Sequence, residues 1–394
     1  MWADLAPVGR DPRSGGYRRF AWTAADRTVR QWFAAEAARR GLDLAVDRNG
    51  NQWAWWGDPD GPGGGDAVVT GSHLDSVPDG GAFDGPLGIV SAFAAVDRLR
   101  GDGHRPDRPI GIVSFVDEEG ARFGMACAGS RLLTGSLDPD RARGLRDTDG
   151  TTMAEAMEVA GHDPRHLGRD GDTLARIGTY VELHVEQGRA LADGPAGVGV
   201  AQGIWPHGRW RLDLAGEANH AGTTRLADRD DPMLRLAAAV VAAREEAERL
   251  GTVATVGRVE VTPNGTNAVP SLVLAWLDAR GQDEQAVRSV VAAVGGAAGS
   301  YPDEESWSPE VTFDAPLRDR LARLLGDAPV LPTGAGHDAG ILAGAGIPTA
   351  MLFVRNPTGV SHSPAEHAER DDCLAGVDAL TAVLAELTGD GAPG

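Results

Sequence analysis

Residues 71–88 read GSHLDSVPDGGAFDGPLG and place His73 and Asp84 on one loop rich in Gly and Pro. The apolar run 67–70 before this loop predicts a buried strand, and the apolar stretch 89–96 after it predicts a helix. Open α/β sheets keep their sites on loops at the carboxyl ends of strands. An imidazole and a carboxylate on such a loop could bind a metal ion, although the same residues also fit a solvated polar loop.

The composition excludes several classes of function. The 394 residues, 42% of them apolar, are enough for two or three domains with full cores. A net charge of -20 argues against a nucleic-acid partner. The chain has no Lys, since all 37 cations are Arg, which excludes Schiff-base chemistry and a Walker-type phosphate loop. Only two cysteines, no signal core and no long apolar run predict a cytoplasmic protein without a membrane span.

Two further predicted strands end in residues that suit metal chemistry. The apolar run 109–116 leads into Asp117, Glu118 and Glu119. Beside a dication, one such carboxylate can bind the metal while its neighbour acts as general base, although a solvated turn is the alternative. The strand predicted over 180–188 places three residues on one face because strand side chains alternate, namely Glu182, His184 and Glu186. His184 is a possible ligand, but a lone His is more often a satisfied core residue.

The order of elements predicts a small domain inserted into a larger α/β domain. Between 206–315 the pattern is β-α-β-β-α-β, typical of a ferredoxin-like domain, with strands at 209–215, 252–261, 272–280 and 310–313 and helices at 232–250 and 283–298. We therefore expect the larger domain to comprise 1–205 and 316–394. The Gly- and Pro-rich tract 59–65 and the tail after Leu387 are expected to be loops.

Seven motifs then appear in order along the chain: GSHLDSV…FDGPLG, DEEGARFG, ELHVEQG, ANHAGTT…DRDDP, PNGTNAVP…LDAR, GAGHDAG and GVSHSPAE. Together they resemble the carbamoylase and allantoate amidohydrolase branch of the dinuclear-metal aminoacylase and aminopeptidase superfamily. The resemblance spans roughly residues 60–370. It implies a large aminopeptidase-like catalytic domain with an inserted ferredoxin-like domain that serves as lid and dimerisation domain.

The resemblance also implies a site with two divalent metal ions, Zn, Mn or similar. His73 and His184 would bind one ion, Glu119 and His362 would bind the other, and Asp84 would bridge both. Glu118 would be the general base, and Asp75 would orient His73. His337 and Asp338 lie in the motif GAGHDAG, where a purely structural turn is an equal alternative to a role in the site.

Substrate contacts implied by the resemblance come mainly from the inserted domain. His220 would reach a neighbouring subunit's metal site and stabilise the oxyanion, so a homodimer is expected. Arg280 would bind the substrate carboxylate through a bidentate pair, with Asn267 beside it. Gln187 would contact the substrate near the metals. Without the resemblance, Arg280 reads as an ordinary surface Arg at a strand end.

The implied activity is hydrolysis of the carbamoyl C–N bond of a small ureido acid. Allantoate amidohydrolase is the first choice, N-carbamoyl-L-amino-acid hydrolase of the beta-ureidopropionase type the second, and a metallopeptidase or aminoacylase the third. A non-catalytic metal-binding homologue is a further alternative, against which the retained Glu118 argues. Arg225 and Arg355 depart from the residues usual in the family at these points, and either cation could read a second carboxylate or a ureido oxygen.

Overall fold

A computed structural model describes residues 1–61 and 65–389. The chain forms two compact units, one made of Met1–Gly203 with the chain from Thr312 onward, the other of Ile204–Val311. The second unit is therefore inserted into the sequence of the first. Residues 62–64 of the predicted 59–65 loop, and 390–394 of the predicted tail, lie outside the described residues.

The strands alternate with helices through most of the larger unit. In chain order the strands are β1 (Asp43–Val46), β2 (Gln52–Trp56), β3 (Ala67–His73), β4 (Ile110–Phe115), β5 (Ile177–Val185), β6 (Val198–Ile204), β7 (His207–Ala215), β8 (Asn219–His220), β9 (Val253–Thr262), β10 (Ala268–Val269), β11 (Leu272–Arg280), β12 (Asp303–Ser308), β13 (Val311–Thr312), β14 (Val330–Thr333) and β15 (Thr349–Val354).

The helices are α1 (Trp2–Leu5), α2 (Ala24–Arg39), α3 (Pro86–Gly101), α4 (Ala128–Thr134), α5 (Pro139–Gly144), α6 (Met153–Val159), α7 (Gly171–Ala175), α8 (Pro232–Leu250), α9 (Glu284–Ala298), α10 (Ala315–Leu324), α11 (Asp338–Gly344) and α12 (Arg370–Thr388), with 3₁₀ turns at Pro164–His166 and Leu226–Asp228. Among the described residues, no helix combines the length and the apolar character needed to cross a membrane.

The sheet of the larger unit has a parallel centre. Within the described residues its strand order is β1-β2-β4-β3-β5-β15-β6-β13, and β14 pairs with β6. Strands β4, β3, β5 and β15 are mutually parallel neighbours, while β1, β2 and β6 pair antiparallel. Every residue of β3, β4 and β15 is buried, which explains their near-continuous apolar sequences. The carboxyl ends of four adjacent parallel strands therefore meet at one edge of the sheet.

The main core of this unit lies between the sheet and three long helices. Helices α2, α3 and α12 bury apolar side chains against the strands, among them Phe33, Phe93 and Leu380, which share one core cluster with Leu183 of β5. A second cluster around Trp22 joins α4, α5 and α6. These clusters hold rigidly the strands whose ends carry the predicted site.

The inserted unit is a two-layer domain with the predicted β-α-β-β-α-β order. Its sheet has the order β12-β7-β11-β9, and all neighbouring strands are antiparallel. Helices α8 and α9 bury their apolar faces on alternate residues of β7 and β11. The bounds of α8 follow from local chemistry: the Asp231 side chain accepts from Met233 N, Pro232 is the first helical residue, and Gly251 ends the helix with φ +67°.

The prediction of a last strand at 310–313 is wrong for this domain. The fourth strand of its sheet is β12, and Val311–Thr312 joins the sheet of the larger unit instead. The sequence of β12, DEESWS, is a mostly exposed edge strand with acidic side chains. It therefore lacks the apolar alternation that identifies a half-buried strand.

Candidate metal centre

The predicted ligands come from the carboxyl ends of the four central parallel strands. His73 is the last residue of β3, and His184 is the last residue but one of β5. Glu119 follows β4, and His362 lies on the loop after β15. Because these strands are adjacent, their ends bring side chains from distant parts of the sequence to one place.

Asp84 lies between two groups of side chains. Its Oδ1 is 3.5 Å from His73 Nε2 and 3.2 Å from His184 Nε2. Its Oδ2 is 3.4 Å from His362 Nε2, which in turn is 3.5 Å from Glu119 Oε2. The two carboxylate oxygens therefore face different groups, His73 with His184 on one side and Glu119 with His362 on the other.

Both groups fit a metal ion by their chemistry. In each group, counting Asp84 in both, the ligand atoms lie within 4.8 Å of one another. His73 Nε2 and Glu119 Oε1 are buried and make no hydrogen bond. Orphaned buried polar atoms are rare, and imidazole with carboxylate is a usual donor set for divalent transition metals. His184 Nδ1 lies 2.9 Å from Val185 O, which leaves Nε2 as the ligand atom.

Asp75 connects the strand ends behind the ligands. Its carboxylate oxygens accept hydrogen bonds from Glu118 N at 3.2 Å and Glu119 N at 3.0 Å. Asp75 Oδ1 is also 3.5 Å from His73 Nδ1. Gly85, with φ +80°, begins the turn into α3, and a Cβ there would overlap the His73 ring. The loop between β3 and α3 is thus packed too closely to be the solvated polar loop considered above.

The electrostatics of the site favour a cation. Burial raises the pKa of Glu119 well above its usual range, and the neighbouring Asp84 adds to this rise. Burial alone would lower the pKa of His73, but the Glu118 carboxylate and its acidic neighbours raise it well above the ordinary value. Burial opposes ionisation of Asp84, but the nearby His184 and His73 imidazoles hold its pKa well below the usual range. Positive charge at this place would stabilise the carboxylates together.

Glu118 is placed beside the ligands without belonging to either group. Its Oε2 is 3.8 Å from His73 Nε2, and its Oε1 is 3.4 Å from the Cys127 thiol, which donates to it. Burial raises the pKa of Glu118 well above its usual range, opposed by the His73 charge. A buried carboxyl group with a raised pKa is suited to accept and return a proton.

A layer of buried polar residues supports the site from behind. Glu182 accepts from Ser72 Oγ at 2.8 Å and from Ala339 N at 3.1 Å. The His337 ring lies 4.5 Å from the His184 ring, and together with Glu182 these side chains form a third candidate ligand group. Asp338 accepts a hydrogen bond from Ser130 Oγ. These contacts give His337 and Asp338 a place in the packing of the site.

Glu186, which was predicted on the same face as His184, lies just beyond the end of β5. The Glu186 carboxylate accepts hydrogen bonds from the backbone amides of Ala190 and Leu191. Strand β5 ends at Val185, so the alternation of side chains stops one residue before Glu186.

Gln187 lies at the centre of the site. Its Nε2 donates to Asp84 Oδ2 at 3.0 Å and to Ser361 Oγ at 3.2 Å, and is 3.3 Å from His362 Nε2. Sequence reasoning missed Ser361 and also Glu366, which accepts from the backbone amide of Asp84. Both lie in the motif GVSHSPAE, which also contains His362. Their only sequence signal was membership of that motif.

The inserted unit places its three predicted substrate residues in two positions. His220 in β8 pairs with Ala268 in β10, and Asn267 O accepts from Ala221 N at 2.9 Å, so His220 and Asn267 are neighbours. Arg280 is the last residue of β11, at the end remote from β10. Eight residue steps of about 3.3 Å give roughly 26 Å for the length of β11. Within one inserted unit, Asn267 therefore does not lie beside Arg280.

Three arginines of interest are already paired with carboxylates. Arg355 Nε and Nη2 donate to Asp372 at 2.9 and 2.8 Å. Arg225 Nε donates to Asp228 at 2.7 Å on an exposed turn. Arg280 Nε and Nη2 donate to the two oxygens of Asp278 at 2.6 and 2.9 Å.

The fold and the grouped side chains define a mixed α/β protein with candidate metal-binding groups at the carboxyl ends of its parallel strands. The chain belongs to Peptidase family M20/M25/M40, whose family model matches residues 69–386. It is 37% identical over 393 residues to an N-carbamoyl-L-amino acid amidohydrolase of Geobacillus stearothermophilus, covering 96% of this chain and 94% of that protein. It is 31% identical to the allantoate amidohydrolase of Escherichia coli, covering 97% and 95%.

Solved structures agree with these relatives. The crystal structure of a hydantoinase/carbamoylase family amidase from Burkholderia vietnamiensis superposes with a TM-score of 0.88 at 27% identity, covering 98% of this chain and 95% of that one. The family resemblance predicted from the seven motifs is thereby confirmed.

Proposed function

We propose that this chain is a metal-dependent amidohydrolase that cleaves the carbamoyl C–N bond of a small ureido acid. The observation that carries the proposal is the position of Asp84, whose two oxygens face two separate ligand groups. A carboxylate shared in this way, with two ligands on each side, suits a pair of divalent cations. The relatives named above act on ureido acids, according to their names.

Two groups of side chains would each bind one ion. His73, His184 and Asp84 would hold one, and Glu119, His362 and Asp84 the other. When bound, such a pair of ions polarises the scissile carbonyl and lowers the pKa of water toward neutrality. Zn and Mn, both compatible with imidazole and carboxylate ligands, are the first candidates.

Glu118 would move the proton. As a carboxylate it accepts a proton from the attacking water, and as a carboxylic acid it returns that proton to the leaving nitrogen. The products are then the free amine and a carbamate, which breaks down to ammonia and carbon dioxide. The contact between Glu118 and the Cys127 thiol fixes the direction in which the carboxyl group points.

The contacts of the His220 ring make its Nε2 atom a hydrogen-bond donor. Its Nδ1 accepts from Gly222 N at 2.9 Å, so in the neutral ring the proton is on Nε2. An exposed Nε2–H beside Asn267 is a suitable donor to the oxyanion of a tetrahedral intermediate. Arg280 would bind the substrate carboxylate, and its guanidinium is oriented by Asp278. Gln187 would contact the substrate near the metals.

The length of β11 supports a homodimer. His220 with Asn267 and Arg280 lie at opposite ends of this strand, roughly 26 Å apart by its eight residue steps. A small ureido acid is too short to touch both ends of one inserted domain. We infer that each substrate meets Arg280 of one subunit and the His220–Asn267 pair of the other, with the inserted domain serving as lid and dimerisation domain.

The edge of the inserted sheet supports this dimer. Strand β9 is an edge strand of ten residues, and exposed apolar side chains lie on it and on α8, among them Val253, Val259, Leu234 and Val241. A long edge strand with apolar neighbours invites pairing with another chain. A second copy of this chain would extend the sheet across a two-fold axis.

Two substrate classes are candidates, allantoate and N-carbamoyl-L-amino acids. The motifs rank allantoate first, and Arg225 and Arg355 are the departures from the family that could bind a second carboxylate or a ureido oxygen. Both side chains are paired with carboxylates of their own unit, which weakens that role. The relative at 37% identity supports N-carbamoyl-L-amino acids as the second candidate.

The test is hydrolysis of a panel of substrates by the purified protein, followed as ammonia release for the ureido acids and as release of the free amino acid for the other compounds. Allantoate, several N-carbamoyl-L-amino acids, an N-acetyl amino acid and a dipeptide are compared by kcat/KM. We expect turnover of at least one ureido acid and a kcat/KM at least 100-fold lower for the dipeptide and the N-acetyl compound. Preferred cleavage of the dipeptide would instead assign the chain to the peptidases of its family.

A further inference from the structure

Glu366 connects the two loops that carry Asp84 and His362. It lies four residues after His362 on the segment between β15 and α12, and only 5% of its surface is exposed. Its Oε1 accepts hydrogen bonds from two consecutive backbone amides, Phe83 N at 2.8 Å and Asp84 N at 3.0 Å. One carboxylate oxygen therefore fixes the peptide units that lead into Asp84.

The other oxygen of Glu366 reaches the same group of residues by a second route. Glu366 Oε2 accepts from Ser361 Oγ at 3.5 Å, and that hydroxyl lies 3.4 Å from Asp84 Oδ2. Gln187 Nε2 donates to the Ser361 hydroxyl at 3.2 Å. The side chain of Asp84 is thus held through both its backbone and its Oδ2 atom by contacts that begin at Glu366.

The packing leaves Glu366 little freedom. Gly81 lies against its side chain, and a Cβ at position 81 would overlap Cβ, Cδ and Oε1 of Glu366. Gly81 does not have a positive φ, so its lack of a side chain serves this close approach and is not a backbone requirement. The 81–85 segment and Glu366 therefore form one packed unit.

We propose that Glu366 is a positioning residue that sets the orientation of Asp84 and thereby the affinity of both metal positions. The inference rests on the proposed function in that it takes Asp84 as the shared ligand. Rotation of Asp84 by a few tens of degrees would move one oxygen away from each ligand group. Groups that orient a ligand in this way typically contribute about 10–100-fold to metal affinity.

The experiment measures Zn²⁺ affinity by competition with a chromogenic chelator for the wild type and four variants. Glu366→Ala removes all three hydrogen bonds that the carboxylate accepts, and we expect Zn²⁺ to bind about 10–100-fold more weakly. Glu366→Gln keeps a carbonyl oxygen that accepts from the two amides, so we expect affinity within about threefold of the wild type. Glu369→Ala is the matched control, an exposed Glu on the same segment, and should leave affinity unchanged.

The fourth variant, Gly81→Ala, displaces Glu366 without removing it and should weaken Zn²⁺ binding as well, so the proposal is tested even if Glu366→Ala does not fold. Wild-type affinity in Glu366→Ala or Gly81→Ala would overturn the proposal. A Glu366→Gln protein as weak as Glu366→Ala would also overturn it, because charge and not position would then be responsible. A wild-type protein that binds no Zn²⁺, Mn²⁺ or Co²⁺ would instead refute the proposed function.

Discussion

Asp84 is the residue on which the site depends, because each of its oxygens faces a different pair of side chains. Apart from His73, which begins the same loop, the neighbours His184, His362 and Gln187 come from other parts of the chain, so the orientation of Asp84 requires the backbone contacts with Glu366. Glu118 differs from Asp84 in that its carboxylate lies beside the ligands, where it contacts His73 and Cys127. The proposed roles, metal binding for Asp84 and proton transfer for Glu118, rest on this difference.

Substitution of Glu118 tests that separation. Glu118→Gln should retain metal and lose about 10²–10⁴-fold in kcat, because the amide cannot accept the proton of the attacking water. Glu119→Gln, the neighbouring ligand, should instead lose metal. Metal content and kcat are measured on the same preparations. Near-normal turnover by Glu118→Gln would mean that the roles of the two residues are assigned wrongly.

Asp26 provides a pH-dependent test away from the site. Burial raises its pKa to about 6, opposed by Arg30 and by the hydrogen bond from Trp22 N. The folded state therefore holds this proton more tightly than the unfolded state, and the resulting stability is complete below about pH 4 and lost as the pH rises through 6. Between pH 5 and 8 the loss is about 1.4 kcal/mol.

Asp26→Asn cannot titrate, so its thermal stability relative to the wild type should improve between pH 5 and pH 8. The shift in Tm difference is measured by calorimetry at both values. Asp102→Asn, an exposed carboxyl at the end of α3, is the control and should show no such change. A constant Tm difference for Asp26→Asn across this range would contradict the shifted pKa.

The sequence identified the candidate residues of the site but not the side chains that contact them. His73, Asp84, Glu119, His184 and His362 were found because each belongs to a motif. The pairing of arginines with Asp372 and Asp278, and the role of Glu366, depend on contacts between residues distant in sequence or turned toward each other by the fold. A motif contains no information about such partners.

Elements with strong local signals were predicted closely. Helix α8 has the predicted bounds because Asp231, Pro232 and Gly251 determine its ends. The last strand of the inserted sheet was misplaced because β12 is an acidic edge strand whose pairing with β7 is a tertiary effect. The end of β5, one residue before Glu186, likewise depends on the neighbouring strands of the sheet.

Substitution on strand β9 tests the proposed dimer. Val259→Lys places a charge on the exposed edge, and we expect the dimer to dissociate at least tenfold more readily, as measured by sedimentation at several concentrations. Val46→Lys is the matched control, an exposed Val on the edge strand β1 of the other sheet, and should leave the dimer intact. A dimer unaffected by Val259→Lys would place the interface elsewhere.

In the proposed dimer, each active site contains residues from both subunits. His220→Ala and Glu118→Gln should each be nearly inactive alone. After mixing and subunit exchange, about half the dimers are mixed and each has one intact site of two, so recovery toward a quarter of wild-type activity is expected. Each variant mixed with itself is the control. No recovery after demonstrated exchange would mean that His220 acts within its own subunit or not at all.

The most direct measurement is a metal titration of the chelated protein, with ammonia release from its preferred ureido acid followed after each addition of Zn²⁺, Mn²⁺ or Co²⁺. Two ligand groups that share Asp84 predict a folded but inactive apoprotein. Activity should then rise with added metal and become constant at two ions per chain. Full activity in a sample shown to be free of metal would contradict the account.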